Sequence, residues 1–467
     1  MLLVMLILSI GLYVVLETVA QPDAPTLTPF LLLWILCFLP YFSACLFVLC
    51  TKPLNGRWRW VELGIIFCGA LVFRALLLPL PPNLSHDSWR YLWDARVTLH
   101  GFSPYVYPPF AKVLQPLRDS LIFDNSRFRN VPTIYPPGAQ AVYLLSYLLA
   151  PSNLFFLKGI FIVFDMATCG ALAFLLVRKG LDPRRVIIYA WCPLPIIEFA
   201  IQGHVDVITL TFMVLAVLSA TSTRRGTRVL TGFLIGVATL TKIYPLFLLL
   251  VVMRRKDWAL LVTCIGTIIV GYIPYLILGH GQVLGYFAAY AGEEGGNGGV
   301  VQVVTYALSF GEGYTRAAIL QQHIADILVL GVMSLAVLVM RVFNRTSMEA
   351  ATMVLMGTVL AVSSHVFPWY TTALLPWIAV LIGPVWTRHG GLSGKGLAVL
   401  MAWYFTCISL TQYFFNATKD WHVYYAYVYD VVMAGLGIAL AIGLWREVKH
   451  LHRLTLEGNS HGKAKHQ

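Results

Sequence analysis

The sequence predicts an all-α, polytopic integral membrane helical bundle of about 12–14 spans. Three observations predict it. Hydrophobic residues make up 58% of the 467-residue chain and charged residues only 12%, with a mean hydropathy of +0.75, where soluble domains carry about a quarter charged residues. Apolar runs of bilayer length recur along the whole chain. The alternating segments of a spanning β-barrel are missing, as is the low-hydrophobicity, high-charge pattern of disorder.

The runs that can span are 2–20, 29–50, 61–80, 153–177, 186–202, 206–222, 258–278, 318–342, 350–366, 371–387, 395–415 and 427–446. The first lacks a basic stretch ahead of its apolar core, so it is read as a helix and not as a signal peptide. A further stretch, 229–253, breaks near Lys242-Ile-Tyr-Pro245. Each half is shorter than the ~20 residues of a full span, so it is read as two short helices meeting at a tip. The eight cysteines (37, 45, 50, 68, 169, 192, 264 and 407) all sit inside apolar runs without metal-ligand spacing. They read as buried hydrophobes with no disulfide framework.

The formal charge of +12 finds its explanation in membrane topology, and no nucleic-acid partner is expected. Basic clusters fall at Lys52, Arg57 and Arg59, at Arg178, Lys179, Arg184 and Arg185, at Arg224, Arg225 and Arg228, and at Arg254, Arg255 and Lys256. The tail adds Arg446, Lys449 and Arg453. An N-terminus inside the cell puts every cluster on the cytoplasmic side. Two long connections then face outward, 81–152 and 279–317, the second containing Gly292-Glu-Glu-Gly-Gly-Asn-Gly-Gly299. Loops of this length are uncommon without a task. The organisation expected is N-terminal helices over 1–60, a catalytic module over 61–260, C-terminal helices over 261–450 and a basic tail over 451–467.

The first outer loop carries the chemical signal. It opens Ser85-His-Asp-Ser-Trp-Arg-Tyr-Leu-Trp-Asp-Ala-Arg96, in which Asp87, Arg90, Tyr91 and Asp94 share one helical face. Ser85 suits an N-cap, and Trp89, Leu92 and Trp93 suit the membrane interface. An isolated segment of this kind also fits a solvated helix with an Arg–carboxylate pair. The rest of the loop favours a site: Gly101-Phe-Ser-Pro-Tyr105, Tyr107-Pro-Pro109 and Pro132-Thr-Ile-Tyr-Pro-Pro-Gly138 supply a rigid wall of rings, Tyr135 among them, on which a sugar can stack.

Asp87-x-x-Arg90-Tyr91-x-Trp93-Asp94-x-Arg96, Gly101-x-x-Pro104-Tyr105 and Pro132-Thr-Ile-Tyr-Pro-Pro137 together resemble the polytopic mannosyltransferases of the glycosyltransferase C superfamily. The resemblance is to the bacterial enzymes that use polyprenyl-phosphate-mannose. It continues through Trp191-x-Pro193-Leu194, Glu198, Gly203-His204-x-Asp206 and Lys242-x-x-Pro245, covering roughly 60–260. Members usually carry Gly after the second Asp, where this chain has Ala95. The resemblance implies transfer of a sugar from a polyprenyl phosphate to a hydroxyl on the outer side of the membrane, with an acid of the first outer loop as general base. By position Asp87 fits the base, with Asp94 orienting Arg90 or a sugar hydroxyl, and the reverse assignment also fits. Partial burial is expected to raise the pKa of the base.

The departing phosphate needs cations and hydrogen-bond donors. Lys242, at the tip of the broken stretch, is the leading candidate; a snorkelling lysine is the alternative. His204 is a candidate hydrogen-bond donor to the phosphate, with Asp206 fixing its tautomer or binding a cation. Glu198 is expected to pair with Lys158 or Arg90. His365 and Tyr370, in Ser363-Ser-His-Val-Phe-Pro-Trp-Tyr370, are candidates for lining the lipid groove. Asp165, His323 and Asp326 lie within spans and are expected to face the bundle interior. The Asp-x-Asp element of nucleotide-sugar enzymes is missing. No metal ligands are assigned, and a divalent metal remains an open possibility. The expected enzyme is a multi-pass protein of the inner or plasma membrane with an extracytoplasmic site. Its donor is a polyprenyl-phosphate sugar, its acceptor a glycolipid or glycan hydroxyl. Rival readings are a transporter or flippase of lipid-linked sugars, an oligosaccharyl transferase and a non-catalytic assembly subunit.

Overall fold

A computed structural model describes residues 1–20, 27–53, 58–222, 224–291, 316–387, 391–418 and 421–446. The chain divides into two compact units, Met1–Val380 and Leu381–Gln467. Among the described residues, eight helices are long and apolar enough to cross a membrane by themselves, and the only strands are the two-residue pair Trp386–Thr387 and Gly391–Leu392. The all-α membrane bundle expected from composition is therefore the observed architecture.

In the first unit, α1 (Leu2–Val19), α2 (Thr28–Cys50) and α3 (Trp58–Leu77) come first. The loop module follows, with α4 (Asp87–Leu99) and α5 (Pro137–Leu149), and then α6 (Leu154–Arg178). Asn153 caps α6 by accepting the Phe156 N–H at 3.0 Å, and Gly180, at φ +68°, turns the chain away beyond its end. The apolar run 186–202 is not one helix. It forms α7 (Ile187–Ala190) and α8 (Pro193–Ala200), because Pro193 lacks a donor and holds Cys192 extended. Next come α9 (Asp206–Ala220), α10 (Arg225–Thr239), α11 (Leu248–Val252) and α12 (Trp258–Leu278). The stretch around Lys242 breaks as expected, with a 3₁₀ turn at Tyr244–Phe247 between α10 and α11. The unit closes with α13 (Phe287–Ala291), α14 (Arg316–Val342), α15 (Met348–Val362) and α16 (Pro368–Thr371), followed by a 3₁₀ turn at Thr372–Leu374 and a short helix that begins at Leu375. In the second unit, Gly394–Phe415 and Val423–Arg446 are long enough to span.

The basic clusters mark one set of helix ends. Arg184 binds Glu62 at 3.1 Å, Asp182 and the Thr51 carbonyl, and Lys179 meets Glu349 at 2.6 Å. Arg228 bonds Asp257 and the Val252 carbonyl, and Arg254 reaches the Ala220 carbonyl at 3.2 Å. The ends of α3, α8 and α10 that carry none of these clusters meet around the loop module. Arg57, Lys449, Arg453, the stretch 292–315 and the tail 451–467 lie outside the described residues.

The loop module is a small core in its own right. Leu92 and Trp93, expected at the membrane interface, are fully covered, packing with Leu114, Ile122 and Phe123. Residues 100–136 fold back over α4 and supply the apolar layer that lipid was expected to provide. Asp165 meets the expectation of an interior charge: it accepts from Arg74 Nε at 2.6 Å and from the Tyr189 hydroxyl, all three fully buried. His323 and Asp326 are only partly covered.

Candidate functional site

The start of α4 is seated on the α8–α9 turn. The Gln202 side-chain oxygen accepts three successive backbone N–H groups, from Asn83, Leu84 and Ser85, at 3.0–3.2 Å. Its amide nitrogen donates to Asn83 Oδ1 at 2.7 Å. Buried Lys158 donates to the Leu80 carbonyl. Gly203 makes the close approach possible. Its φ of +72° reverses the chain after α8, and a Cβ there would lie 3.2 Å from Ser88 Cβ. The cap expected at Ser85 falls one residue later: His86 is the N-cap of α4 and makes no side-chain capping bond, while Ser85 Oγ accepts the Asp87 N–H at 3.3 Å in a local turn just ahead of it.

Asp87 leads this helix into the cleft with 20% of its side chain exposed. Burial pushes its carboxyl up to about 6, and Asp206 adds to the rise; Lys242, Ser85 and Arg127 oppose it. A carboxylate so poised is a competent proton acceptor near neutrality.

Asp94 occupies a different environment. It is 1% exposed, held by Arg90 Nε at 2.8 Å and by Gln140 Nε2 at 3.1 Å. Arg90 spends its other donors on the carbonyls of Phe128 (2.7 Å) and Val131 (3.0 Å). This pair holds a strained segment in place, since Phe128 has φ +55°. Tyr91 stacks on Tyr143 with centroids 4.4 Å apart, and its hydroxyl donates to that of Tyr135.

Lys242 stands at the rim of a cavity of about 360 Å³. Asp206 Oδ1 is 3.3 Å from its Nζ, and the rings of Tyr370 and Tyr135 lie 4.5 and 5.7 Å away. Beyond the lysine the wall turns apolar, through Phe247, Met356, Val359 and Leu360. Tyr290 closes one side, its hydroxyl 3.2 Å from that of Tyr370. His365 is one layer back, stacked on Tyr290 at 4.6 Å.

The cleft thus gathers Asp87, Tyr135, Asp206, Lys242 and Tyr370 of the sequence-expected residues. Arg90, Tyr91 and Asp94 stand behind them. His204 does not turn to the lysine's cavity: its ring faces Asp87 on one side and Glu198 on the other, and Asp206 goes to Lys242 instead of fixing its tautomer. Glu198 meets His204, while Arg90 is taken by Asp94 and Lys158 by the Leu80 carbonyl. Sequence reasoning missed Gln202, Trp369 and Tyr290. Gln202 stands beside one noted motif and Trp369 inside another, but nothing in their spacing announces a partner; Tyr290 lies in a connection with no periodic signal. Among the described residues, no three His, Cys, Asp or Glu side chains converge as metal ligands.

A polytopic membrane protein with a raised-pKa carboxylate and a lysine at the rim of an apolar cavity is the class that fold and site define. Over residues 133–364 the chain matches the model of glycosyltransferase family 87, and that likeness supports a membrane glycosyltransferase. The matched segment holds Tyr135, Glu198, His204, Asp206 and Lys242; Asp87 precedes it. No curated protein matches the chain.

Proposed function

We propose that the chain transfers a hexose from a polyprenyl-phosphate donor to a lipid- or glycan-linked hydroxyl on the extracytoplasmic face. Mannose is the sugar implied by the resemblance of the first loop. One observation carries the reading. Asp87, partly exposed and within electrostatic reach of Lys242, lies beside a cavity whose wall changes from cationic to apolar. A lipid phosphate needs both halves of such a wall, the cation for its headgroup and the apolar lining for its isoprenoid chain.

In the proposed step the acceptor oxygen attacks the anomeric carbon while its proton passes to Asp87. The carbon–oxygen bond to phosphate breaks, and the phosphate leaves with the electron pair into the field of Lys242. Attack opposite the leaving group inverts the anomeric centre. Asp206 holds the lysine, the tyrosines wall the sugar, and Asp94 with Arg90 positions the loop. The collection of basic clusters at the other helix ends supports an extracytoplasmic site.

Purified protein incubated with labelled polyprenyl-phosphate sugars and a membrane lipid extract tests the proposal. Transfer from one lipid-linked donor is expected. Asp87→Asn is expected to retain folding and donor binding while losing turnover by about 100-fold or more. Near-normal turnover in that variant overturns the base assignment, and no transfer from any lipid-linked donor overturns the function.

A further inference from the structure

We propose that Arg127 and Phe128 form the acceptor subsite, and that the acceptor they hold is an acidic sugar, bearing a carboxylate or phosphate monoester on the ring that presents the attacking hydroxyl or on its neighbour. The inference rests on the base role proposed above for Asp87 and adds the chemical class of the second substrate.

The turn that carries both residues is fastened to the first turn of α4, the one that bears Asp87. On one side of Arg127, His86 Nδ1 lies 3.1 Å from the Asn125 carbonyl oxygen. On the other side, Arg90 donates to the carbonyls of Phe128 at 2.7 Å and Val131 at 3.0 Å. The charge of Arg127 is felt at both Asp87 and His86.

Packing does not account for either side chain. Phe128 is 68% exposed, more than any other bulky apolar residue between 100 and 136. It also holds φ +55°, a region unfavourable for a bulky residue, where glycine would sit without strain. A ring is thus displayed to solvent against a backbone penalty, a combination that collects at binding sites. In the same turn, Arg129 donates to the Ser126 and Asp124 carbonyls and faces the Asp124 carboxylate at 3.6 Å. Arg127 is exposed and makes no hydrogen bond or ion pair among the described residues.

The donor's single phosphate is met by Lys242, which comes from the tip between α10 and α11 and is held by Asp206 at 3.3 Å. Arg127 comes from a different element and supplies a second cation near the same base. The acceptor hydroxyl must arrive at Asp87, whose carboxylate repels an acidic sugar. A guanidinium at that rim offsets the repulsion and pairs with the acid, while the sugar lays its apolar face on the adjoining ring. A neutral acceptor has no use for the cation.

Glycolipids from a membrane extract, separated by anion exchange into neutral and acidic fractions, serve as acceptors for the full-length protein with labelled polyprenyl-phosphate mannose. Transfer is expected to the acidic fraction. Carboxyl reduction identifies a carboxylate, and phosphatase treatment a phosphate, by raising the acceptor KM about five- to tenfold. Arg127→Gln is expected to raise it by the same factor, to leave the donor KM within about twofold, and to add nothing on the treated acceptor, since either change removes the same charge pair. Arg127→Lys should restore most of the affinity. Phe128→Gly is expected to raise the acceptor KM about three- to tenfold and the unfolding midpoint by about 1–2 °C, because glycine relieves the backbone. A lowered midpoint with unchanged KM makes Phe128 structural and overturns the subsite. A donor KM that rises in step marks a membrane anchor and overturns it too. An acceptor KM unmoved by both treatments or by Arg127→Gln, or transfer to neutral acceptors alone, overturns the inference and leaves the transferase reading standing. No transfer to either fraction removes both.

Discussion

Gly203→Ala separates backbone strain from the fit between α4 and the α8–α9 turn. Glycine at φ +72° is replaced by a residue for which the left-handed region is unfavourable by about 1 kcal/mol. The new methyl also meets atoms: Lys158 Cγ at 3.0 Å and Ser88 Cβ at 3.2 Å. Ser88 is fixed in the first turn of α4, and the lysine is tied to the Leu80 carbonyl. Both neighbours must yield by a few tenths of an ångström, bringing the total destabilisation to about 2 kcal/mol. The displacement acts on the residue adjoining Asp87. A misplacement of about 1 Å can cost about 100-fold in rate, so a few tenths should cost about three- to tenfold in kcat. Gly180→Ala is the control, with φ +68° and no atom within 4 Å of the added Cβ. It is expected to lose about 1 kcal/mol of stability and no rate. Thermal unfolding in detergent and steady-state transfer measure the two quantities. Equal kcat in both variants would refute the idea that Gly203 sets the approach of the base.

Lys242→Met should weaken binding of polyprenyl phosphate by about 10- to 100-fold, read by titration of the purified protein; unchanged affinity sends the phosphate elsewhere. Transfer by the unmodified protein should need ionised Asp87. Its folded pKa of about 6 is raised from 3.8, so the rate should fall about tenfold per pH unit below about 6 and level off above it. Asp165→Ala leaves the buried Arg74 guanidinium without its carboxylate and should cost about 3–5 kcal/mol, seen as a lowered unfolding midpoint or loss of folded protein. A stability change under about 1 kcal/mol would show that the pair is readily replaced.

Much of this was legible because a bilayer imposes length and apolarity on its spans. The helices from α1 to α3, α6, α12 and α14 follow directly from runs of about 20 apolar residues. The run 186–202 misled because Trp191-Cys-Pro193 breaks the backbone without interrupting hydrophobicity. The loop helix was legible from the spacing of Asp87, Arg90, Tyr91 and Asp94, yet its partners were not. Leu92 and Trp93 look alike against lipid or protein, and only the fold of 100–136 decides which covers them. Two carboxylates seven residues apart likewise read as equals. Their difference arises from Arg90 and Gln140 on one and a partly open cleft on the other, and Gln140 is 46 positions away from Asp94. Lys242 stood out as a charge at a helix break, whereas Tyr290 became visible only in three dimensions.

Gln202 binds the chain just ahead of Asp87 by three amide hydrogens, on a turn wedged between two helices of the bundle. A proton acceptor mounted on so firm a footing does not travel with a swinging loop. In the proposed reaction its distance from the arriving hydroxyl would be set before either substrate appears, and the waiting time in each cycle would fall on the substrates, which must find their own way to a stationary group.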